Sequence, residues 1–268
     1  MEKPNPSVIR SESVPPPLSR MLLSIDGQPC PFGCTYCFAN FSQYVAPRTL
    51  GEIEAQPTLA ESVDVLYPAC DVDLLARPDL DDVLRRVARF GKSVSISTKA
   101  SVGTRALRSL QWLQGELAVQ GSVLKVSVSV STKFRVLEVE PRTPGYESRV
   151  RSLRALKDAG IPNSLVFRPL LADVSDREYE EILRDCEGLT SRLLVGDEWL
   201  DSGPKARSAA GIDARPLLSL RVVNWAAEEP TWTQRAIPGR VEHLKSYAGR
   251  FGFSLFESDL DLMRDVLD

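Results

Sequence analysis

The order of β-rich and helical segments is the strongest constraint on the fold of this chain. From Met21 to Leu200, short runs of strand-forming residues alternate with segments of helical periodicity, as in parallel βα units. The predicted strands are Met21–Ile25, Val63–Tyr67, Ser93–Thr98, Val123–Ser131, Asn163–Leu171 and Arg192–Gly196, and the predicted helices are Asp79–Phe90, Thr104–Gln114, Tyr146–Ala159 and Asp176–Glu187. Such a series forms a barrel or an open doubly wound sheet, and in both the chemistry lies at the carboxyl ends of the strands.

Three cysteines lie in the loop directly after the first predicted strand. Cys30, Cys34 and Cys37 have the spacing C-x3-C-x2-C, and Gly33 permits a sharp turn between the first two. Three thiolates on so short a loop can hold one face of an iron-sulfur cubane and leave one iron open, whereas a purely electron-transferring cluster uses four cysteines. The spacing therefore predicts a cluster with a free iron for a chelating ligand.

A structural zinc site is the alternative, with Cys70, Cys186 or His243 as the fourth ligand. Zinc modules usually present two paired ligand sets, and the sequence contains no second C-x-x-C or H-x3-H pair. The iron-sulfur interpretation is therefore favoured. Because only Cys70 and Cys186 are left over, we do not expect an auxiliary cluster held by cysteines alone.

Composition limits the class of protein. A chain of 268 residues with 43% hydrophobic content can bury one sizeable core, and its net charge of -3 predicts no strong field for a nucleic-acid backbone. The five cysteines do not resemble a dispersed disulfide set, and no run of eighteen apolar residues occurs. We therefore expect a cytoplasmic protein without membrane contact. Its parts would be a disordered Pro-rich tail (1–20), a catalytic core (21–200) and a C-terminal extension (201–268).

Turn and helix signals add detail to this division. Gly91 and Gly160 lie where helices of the core should end. The extension is predicted to contain a strand over Leu217–Trp225, a Pro-containing loop up to Trp232, a short helix over Pro238–Gly249 and a strand over Phe251–Phe256.

The cysteine motif, with aromatic Tyr36 before its last cysteine, resembles the signature loop of the radical S-adenosylmethionine (SAM) superfamily. The resemblance implies an α/β partial (β/α)6 barrel for the core, and we expect the C-terminal extension to pack on or cap that barrel. It also implies a [4Fe-4S] cluster whose open iron binds the amino and carboxylate groups of S-adenosylmethionine, with Tyr36 near the adenine. The cluster would reduce the sulfonium, and the resulting 5'-deoxyadenosyl radical would abstract a hydrogen atom from a substrate.

Three further segments resemble the spore photoproduct lyase-like branch of that superfamily. They are Tyr67–Leu75, Ser97–Lys99 and Glu138–Pro141, the last before a helix that contains Arg149. The resemblance implies that Cys70 returns a hydrogen atom to a product radical. The alternative is that Cys70 is a small buried hydrophobic residue.

The same resemblance suggests cofactor contacts at the ends of the third and fourth strands. Lys99 would pair with the S-adenosylmethionine carboxylate, or else be an ordinary solvated lysine. Ser129 and Ser131 lie on one face of the fourth strand and would contact the ribose or methionyl group, or simply fill that face. Further along the chain, Glu138 and Glu140 would bind substrate or, as we favour, form ion pairs with Arg142 and Arg149, while the substrate pocket would involve Arg168, Asp197, Glu198 and Trp199.

The sequence thus predicts a radical SAM enzyme that acts on an organic substrate, with tailoring of a small metabolite or peptide favoured. A nucleic-acid lesion lyase is one alternative, although no basic or aromatic strand-separating element is evident and Trp225 and Trp232 are expected to pack in a core or lid. A non-catalytic iron-sulfur or zinc protein is another. The enzyme would need a reductant such as flavodoxin or ferredoxin.

Overall fold

The structure, a computed structural model of the chain, describes residues 18–27, 29–201, 217–222 and 230–268. The predicted tail of residues 1–20 and the polar stretch that begins at residue 201 therefore lie almost wholly outside the described part. Within that part, no helix has both the length and the apolar character that crossing a membrane requires.

Six parallel strands form the main sheet, and they follow one another across it in chain order. They are β1 (Arg20–Leu23), β2 (Val65–Pro68), β3 (Ser93–Thr98), β4 (Leu124–Ser129), β5 (Asn163–Leu170) and β6 (Arg192–Leu200). Each corresponds to one predicted strand, and the largest difference is at β6, which continues to Leu200. The series confirms the predicted α/β partial barrel.

Helices connect the strands and cover one face of the sheet. They are α1 (Leu50–Ala55), α2 (Thr58–Glu61), α3 (Leu80–Ala88), α4 (Thr104–Val119), α5 (Val136–Val139), α6 (Tyr146–Asp158) and α7 (Asp176–Asp185). Gly91 and Gly160 follow α3 and α6 with φ of +63° and +67°, as predicted for residues that end a helix. The short helices α1, α2 and α5 were not predicted, because four to six residues show too little periodicity.

The two faces of the sheet differ in chemistry. The outer face carries residues such as Val126 and Leu165, which belong to the main hydrophobic core beneath the helices. The inner face carries Ser97, Lys125 and Ser127 in adjacent positions of β3 and β4. The inner face is therefore the side of the sheet suited to polar ligands.

The C-terminal residues extend the sheet from β6. β7 (Leu217–Val222) and β8 (Thr231–Ala236) form an antiparallel hairpin, and β8 pairs antiparallel with the end of β6. After α8 (Arg240–Arg250), β9 (Ser254–Phe256) pairs in parallel with the start of β6. The chain ends with α9 (Asp259–Leu267).

Two elements of this region differ from the prediction. The strand predicted as Leu217–Trp225 is described only to Val222, and the remainder, including Trp225, lies outside the described residues. The prediction of a loop up to Trp232 was wrong from residue 231 onward, because pairing with β6 and β7 makes this segment a strand. Helix α9 was not predicted, although Ser258 is a recognisable N-cap that accepts backbone N–H groups.

Helix α9 lies against the inner face of the sheet, inside the partial barrel. Met263 packs with Tyr67 of β2, and Leu262 packs with Val166 of β5. Both α9 side chains are completely buried, which stabilises the helix in this position by about 1.5–3 kcal/mol per side chain. The helix therefore occupies part of the barrel interior and limits the depth of any ligand pocket.

The loop after the cysteines is tied to the end of β6. The backbone N–H and hydroxyl of Ser42 donate to one carboxylate oxygen of Asp201, at 3.1 and 2.9 Å. The Gln43 side chain donates to the carbonyl of Leu200 at 3.0 Å. These bonds join the loop after the first strand to the end of the sixth strand, across the open side of the barrel.

Candidate active site

The cysteine loop is anchored on both sides. Phe32 is buried in the main core, and Gly33 has a φ of +62° with the guanidinium of Arg142 directly against it. A Cβ at position 33 would collide with that guanidinium, so the position favours glycine for steric as well as conformational reasons. The Thr35 N–H donates to the carbonyl of Val139 at 2.9 Å, which attaches the loop to α5.

The three predicted cluster ligands are brought together. Cys30, Cys34 and Cys37 are all free and partly accessible. Burial raises the pKa of Cys34 to about 11, Lys99 opposes that shift, and the neighbouring Cys37 and Cys30 thiols add to it. The thiols therefore lie within electrostatic range of one another and of an ammonium, and metal binding there must displace protons.

Tyr36 connects this loop to the end of β4. Its hydroxyl shares a 2.7 Å hydrogen bond with Ser131 and donates another to the carboxylate of Glu140. Glu140 pairs with Arg149 at 2.5 Å, and both side chains are fully buried. Burial would raise the pKa of Glu140, but Lys99 and Arg149 lower it overall, so the carboxylate stays ionised. The ion pair that we favoured between Glu140 and Arg149 is confirmed.

Glu138 forms an ion pair, as we favoured, but the partner seen in the structure differs from the predicted one. The partner is Arg135, which lies three residues before Glu138. Arg142 instead lies against Gly33 of the cysteine loop. The pairing follows from the short α5, which places residues three apart on the same side of the helix.

Lys99 projects toward the cysteine loop from the end of β3. Its ammonium lies 5.6 Å from the centre of the Tyr36 ring, a cation–π distance. Its backbone N–H donates to Asp73 at 2.5 Å, and the Thr98 hydroxyl donates to the other oxygen of that carboxylate at 2.7 Å. Asp73 therefore fixes the strand end, and Lys99 is not a freely solvated lysine.

Ser129 and Ser131 occupy the inner face at the end of β4, on either side of Val130. Both are buried, at 3% and 0% exposure. Ser131 bonds to Tyr36, whereas the Ser129 hydroxyl has no hydrogen-bond partner within the described chain. A buried hydroxyl in this state is a place where a bound polar group would be favourable.

Cys70 lies at the carboxyl end of β2, after a strained residue. Ala69 has a φ of +60°, a left-handed conformation that non-glycine residues rarely adopt, and the Cys70 N–H donates to Leu23 of β1 at 3.1 Å. Burial and Asp71 raise the pKa of Tyr44, and Cys70 and Cys37 add smaller contributions, so the Tyr44 hydroxyl lies within electrostatic range of both thiols. The structure thus places Cys70 near the cysteine loop.

Asp71 is a site residue that the sequence alone did not single out. One carboxylate oxygen accepts hydrogen bonds from Ser24 at 2.6 Å and Tyr44 at 2.9 Å. The other oxygen is buried and has no partner among the residues that the structure describes. A carboxylate three residues after the end of a parallel strand is a signal that could have identified it, because the loops that follow such strands lie at the active-site edge.

Arg168 extends from β5 and binds the start of α9. Its guanidinium pairs with the carboxylate of Asp259 and donates to the Glu257 carbonyl at 3.1 Å. Arg20 lies 3.1 Å from the same carboxylate oxygen. Burial would raise the pKa of Asp259, but Arg168, Lys125 and Arg20 outweigh it and hold the pKa at about 2. Arg168 is therefore a structural cation whose side chain remains 35% exposed.

The other predicted pocket residues separate into different environments. Asp197 is half-buried, and burial raises its pKa while Arg221 opposes the shift. Glu198 is buried in an ion pair with Arg235 of β8 at 2.5 Å, so it does not reach the site. Trp199 packs edge-on against Trp232, with 5.7 Å between ring centres.

Aromatic side chains bridge the cysteine loop and the hairpin. Trp232 of β8 is 2% exposed, and its ring centre lies 6.4 Å from that of Phe38 and 5.9 Å from that of Phe41. The packing role predicted for Trp232 is confirmed. Together with Trp199, these rings form an apolar wall beside the site.

Comparison with known proteins gives one family match. The family model described as the Radical SAM superfamily matches residues 25–186, which include the cysteine loop and β2 to β5. A search of curated protein sequences gives no match.

Solved structures with a similar fold include a spore photoproduct lyase and a protein named SuiB. A spore photoproduct lyase variant with bound AdoMet and dinucleoside spore photoproduct has a TM-score of 0.59 and 14% identity, over 92% of this chain and 79% of that one. SuiB of Streptococcus suis bound to S-adenosylmethionine has a TM-score of 0.60 and 13% identity, over 90% of this chain and 52% of that one. SuiB bound to the precursor peptide SuiA has a TM-score of 0.50 and 16% identity, over 66% of this chain and 39% of that one. At these identities the likeness shows a shared fold.

Proposed function

The chain belongs to the radical SAM superfamily, and we propose that Cys30, Cys34 and Cys37 hold its [4Fe-4S] cluster with one iron left for S-adenosylmethionine. The observation that carries this proposal is the grouping of three thiols on one anchored loop at the carboxyl end of β1, facing Lys99. When bound, the cluster supplies the electron that cleaves S-adenosylmethionine to a 5'-deoxyadenosyl radical, which abstracts a hydrogen atom from an organic substrate.

The spacing of the donors supports a cubane over a single zinc ion. Across the described ranges, no three His, Cys, Asp or Glu side chains converge in the way that one metal ion requires. A cubane takes each thiolate on a separate iron atom, so its ligands need not meet at one point. Three neighbouring cysteines on one anchored loop meet that requirement.

Five side chains around the loop would hold the cofactor or position a group that does. The Lys99 ammonium would pair with the carboxylate of S-adenosylmethionine, and the unpartnered oxygen of Asp71 would accept its amino group. The unpartnered Ser129 hydroxyl would bond to the ribose or methionyl group, with Ser131 holding the neighbouring Tyr36 in place near the adenine. Each group supplies a charge or hydrogen bond that the cofactor can complete.

Cys70 would serve as the hydrogen-atom donor that closes the reaction. It is partly accessible and lies on the same sheet edge as the cluster ligands. Burial raises the pKa of Cys70 above its usual range, and Asp71 adds to the shift, so the thiol keeps its hydrogen at neutral pH. A thiol that retains its hydrogen is the form that can quench a carbon radical.

The substrate would be a small metabolite or a peptide segment. With α9 inside the barrel and Trp232 beside the mouth, the space for a substrate is restricted, and the net charge of -3 does not favour a nucleic-acid backbone. The alternative, a nucleic-acid lesion, draws support from the fold shared with spore photoproduct lyase and from the position of Cys70. We also propose that residues 21–200 form the catalytic core and that residues 201–268 form an extension packed on it.

Anaerobic reconstitution with iron and sulfide tests the cluster assignment. The wild-type chain should bind four irons per chain, as one [4Fe-4S] cluster requires, and should form 5'-deoxyadenosine from S-adenosylmethionine under strong reductant. Cys34→Ala should lose both properties, whereas Cys186→Ala, which removes a buried thiol from the outer core, should retain both. One zinc per chain with no iron in the anaerobically purified protein would contradict the proposal.

A further inference from the structure

The cysteine loop has two sides with different surroundings. One side faces the inner part of the barrel, where the Lys99 ammonium lies over the ring of Tyr36. The other side contacts α5 through the bond from Thr35 to Val139, and Thr35 itself is exposed. A radical formed in the barrel must be shielded from solvent and stray reagents, so a carrier protein should not approach the cluster through the barrel interior. We therefore expect the electron to reach the cluster from the α5 side of the loop.

The short helix α5 carries apolar residues on both its buried and its exposed sides. Val136 and Val139 are buried in the main core. Leu137, between them, is 81% exposed, and Phe134, just before the helix, is 65% exposed. Single exposed apolar residues are common, but two large ones three residues apart beside a candidate redox centre indicate a contact surface.

Cations flank these apolar side chains. Arg142 and Arg151 are exposed, and neither forms an ion pair with another described residue. Arg151 and Phe134 line one groove of about 410 Å³. By contrast, Lys133 is neutralised by Glu181 and Asp185, at 3.5 and 2.8 Å. Glu147 lines the same groove and is the acidic neighbour of Arg151, while Arg142 adds a second exposed cation after α5. The exposed charge beside the apolar residues is therefore positive on balance. We call Phe134, Leu137, Arg142 and Arg151 the α5 patch.

We propose that the α5 patch is the docking surface for a small acidic one-electron carrier protein that reduces the cluster. This inference rests on the proposed function, because it assumes a reducible cluster on the cysteine loop. Apolar residues within a basic rim fit an acidic partner, since opposite charges speed encounter and desolvated apolar contacts hold the complex. The Thr35–Val139 bond attaches the patch directly to the loop that carries the cluster ligands.

The experiment compares electron sources on the same reconstituted enzyme. 5'-Deoxyadenosine formation is measured with dithionite, with reduced flavodoxin and with reduced ferredoxin, for wild type, Leu137→Asp and Arg151→Glu. Both side chains are exposed, so their replacement should leave the dithionite rate within about twofold of wild type. Turnover with at least one acidic carrier should fall by about tenfold in each variant.

Matched controls carry the same changes elsewhere. Val119→Asp alters an 89% exposed residue at the end of α4, at the opposite edge of the sheet, and Arg108→Glu alters an exposed arginine of the same helix. Both controls should keep carrier-supported turnover. Raising the salt concentration should slow carrier-supported turnover of wild type more than that of Arg151→Glu.

Three results would overturn the docking proposal. In the first, carrier-supported turnover is unchanged in both patch variants. In the second, both variants lose turnover equally with dithionite and with the carrier. In the third, wild type turns over with dithionite but with neither carrier. Failure of wild type to cleave S-adenosylmethionine even with dithionite would instead contradict the proposed function. The two failures are therefore distinguishable.

Discussion

The guanidinium of Arg149 lies 2.5 Å from the carboxylate of Glu140, and both side chains are completely excluded from solvent. Glu140 also accepts the hydroxyl of Tyr36, and Arg149 donates to the carbonyl of Ser129 at 3.1 Å. One buried pair therefore holds the cysteine loop against the end of β4. The positions of the proposed cluster and cofactor ligands depend on it.

Removing one partner of this pair should strongly destabilise the protein. Arg149→Met leaves the Glu140 carboxylate buried without its cation, which should lower the free energy of unfolding by about 3–5 kcal/mol. Urea unfolding followed by circular dichroism measures the change. Arg154→Met, on an exposed position of the same helix, should have almost no effect, and adding Glu140→Leu to Arg149→Met should restore much of the loss. Equal unfolding midpoints for both single variants would contradict this account.

Asp259 should make stability sensitive to acid. Its folded pKa of about 2 is lower than its ordinary value of 3.8, so its ionisation stabilises the folded state above pH ~4 and this contribution is lost as the pH falls through about 2. Asp259→Asn should therefore be less stable than wild type by about 2 kcal/mol at pH 7. The difference, measured by urea unfolding, should shrink as the pH approaches 2.5. A difference that stays constant with pH would count against the ion cluster.

Lys125, unlike Asp259, should destabilise the folded state when it is charged. Burial lowers its pKa from 10.5 to about 8, and Asp259 only partly opposes the shift. The unfolded chain therefore binds more protons between these values, so wild-type stability should rise as the pH increases from 8 to 10.5. Lys125→Met should be more stable than wild type at pH 7 by about 3 kcal/mol, with a smaller gain at pH 10. A destabilised Lys125→Met at pH 7 would show that its bond to Ser127 outweighs desolvation.

Cys70→Ala should separate cofactor cleavage from product formation. The variant retains the three cluster ligands, so 5'-deoxyadenosine should still form at a rate within about threefold of wild type. Without a hydrogen donor, product per 5'-deoxyadenosine should fall by about tenfold or more once a substrate is in hand. Cys186→Ala is the control with a buried thiol removed elsewhere. Unchanged product yield in Cys70→Ala would exclude the donor role.

The regular part of the fold was predictable from local pattern. The strands β1 to β6 are buried on the helix side, so short β-rich runs, with apolar residues at alternate positions in β3 and β4, are separated by helical periods and can be identified from the sequence. The strand β8 was not predicted from local pattern, because Thr231–Ala236 acquires its strand partners only through tertiary contact with β6 and β7. Helix α9 lies inside the barrel through Leu262 and Met263, a placement that no local signal contains.

The candidate site was predictable only where it is local. Cys30, Cys34 and Cys37 are close in sequence, so their spacing alone indicated a shared ligand. The bond between Tyr36 and Glu140 joins residues 104 positions apart, and it depends on how α5 packs against the loop. The unpartnered oxygen of Asp71 becomes evident only when the hydrogen bonds from Ser24 and Tyr44 are located on the other oxygen.

The free iron is the central claim, and electron–nuclear double resonance on the reduced, reconstituted enzyme tests it most directly. With S-adenosylmethionine labelled with ¹⁵N at its amino group, the cluster signal should show a hyperfine coupling to the label. The coupling should be absent in Cys34→Ala. A wild-type cluster that shows no coupling to the labelled cofactor, and instead a fourth ligand from a protein side chain, would contradict the account.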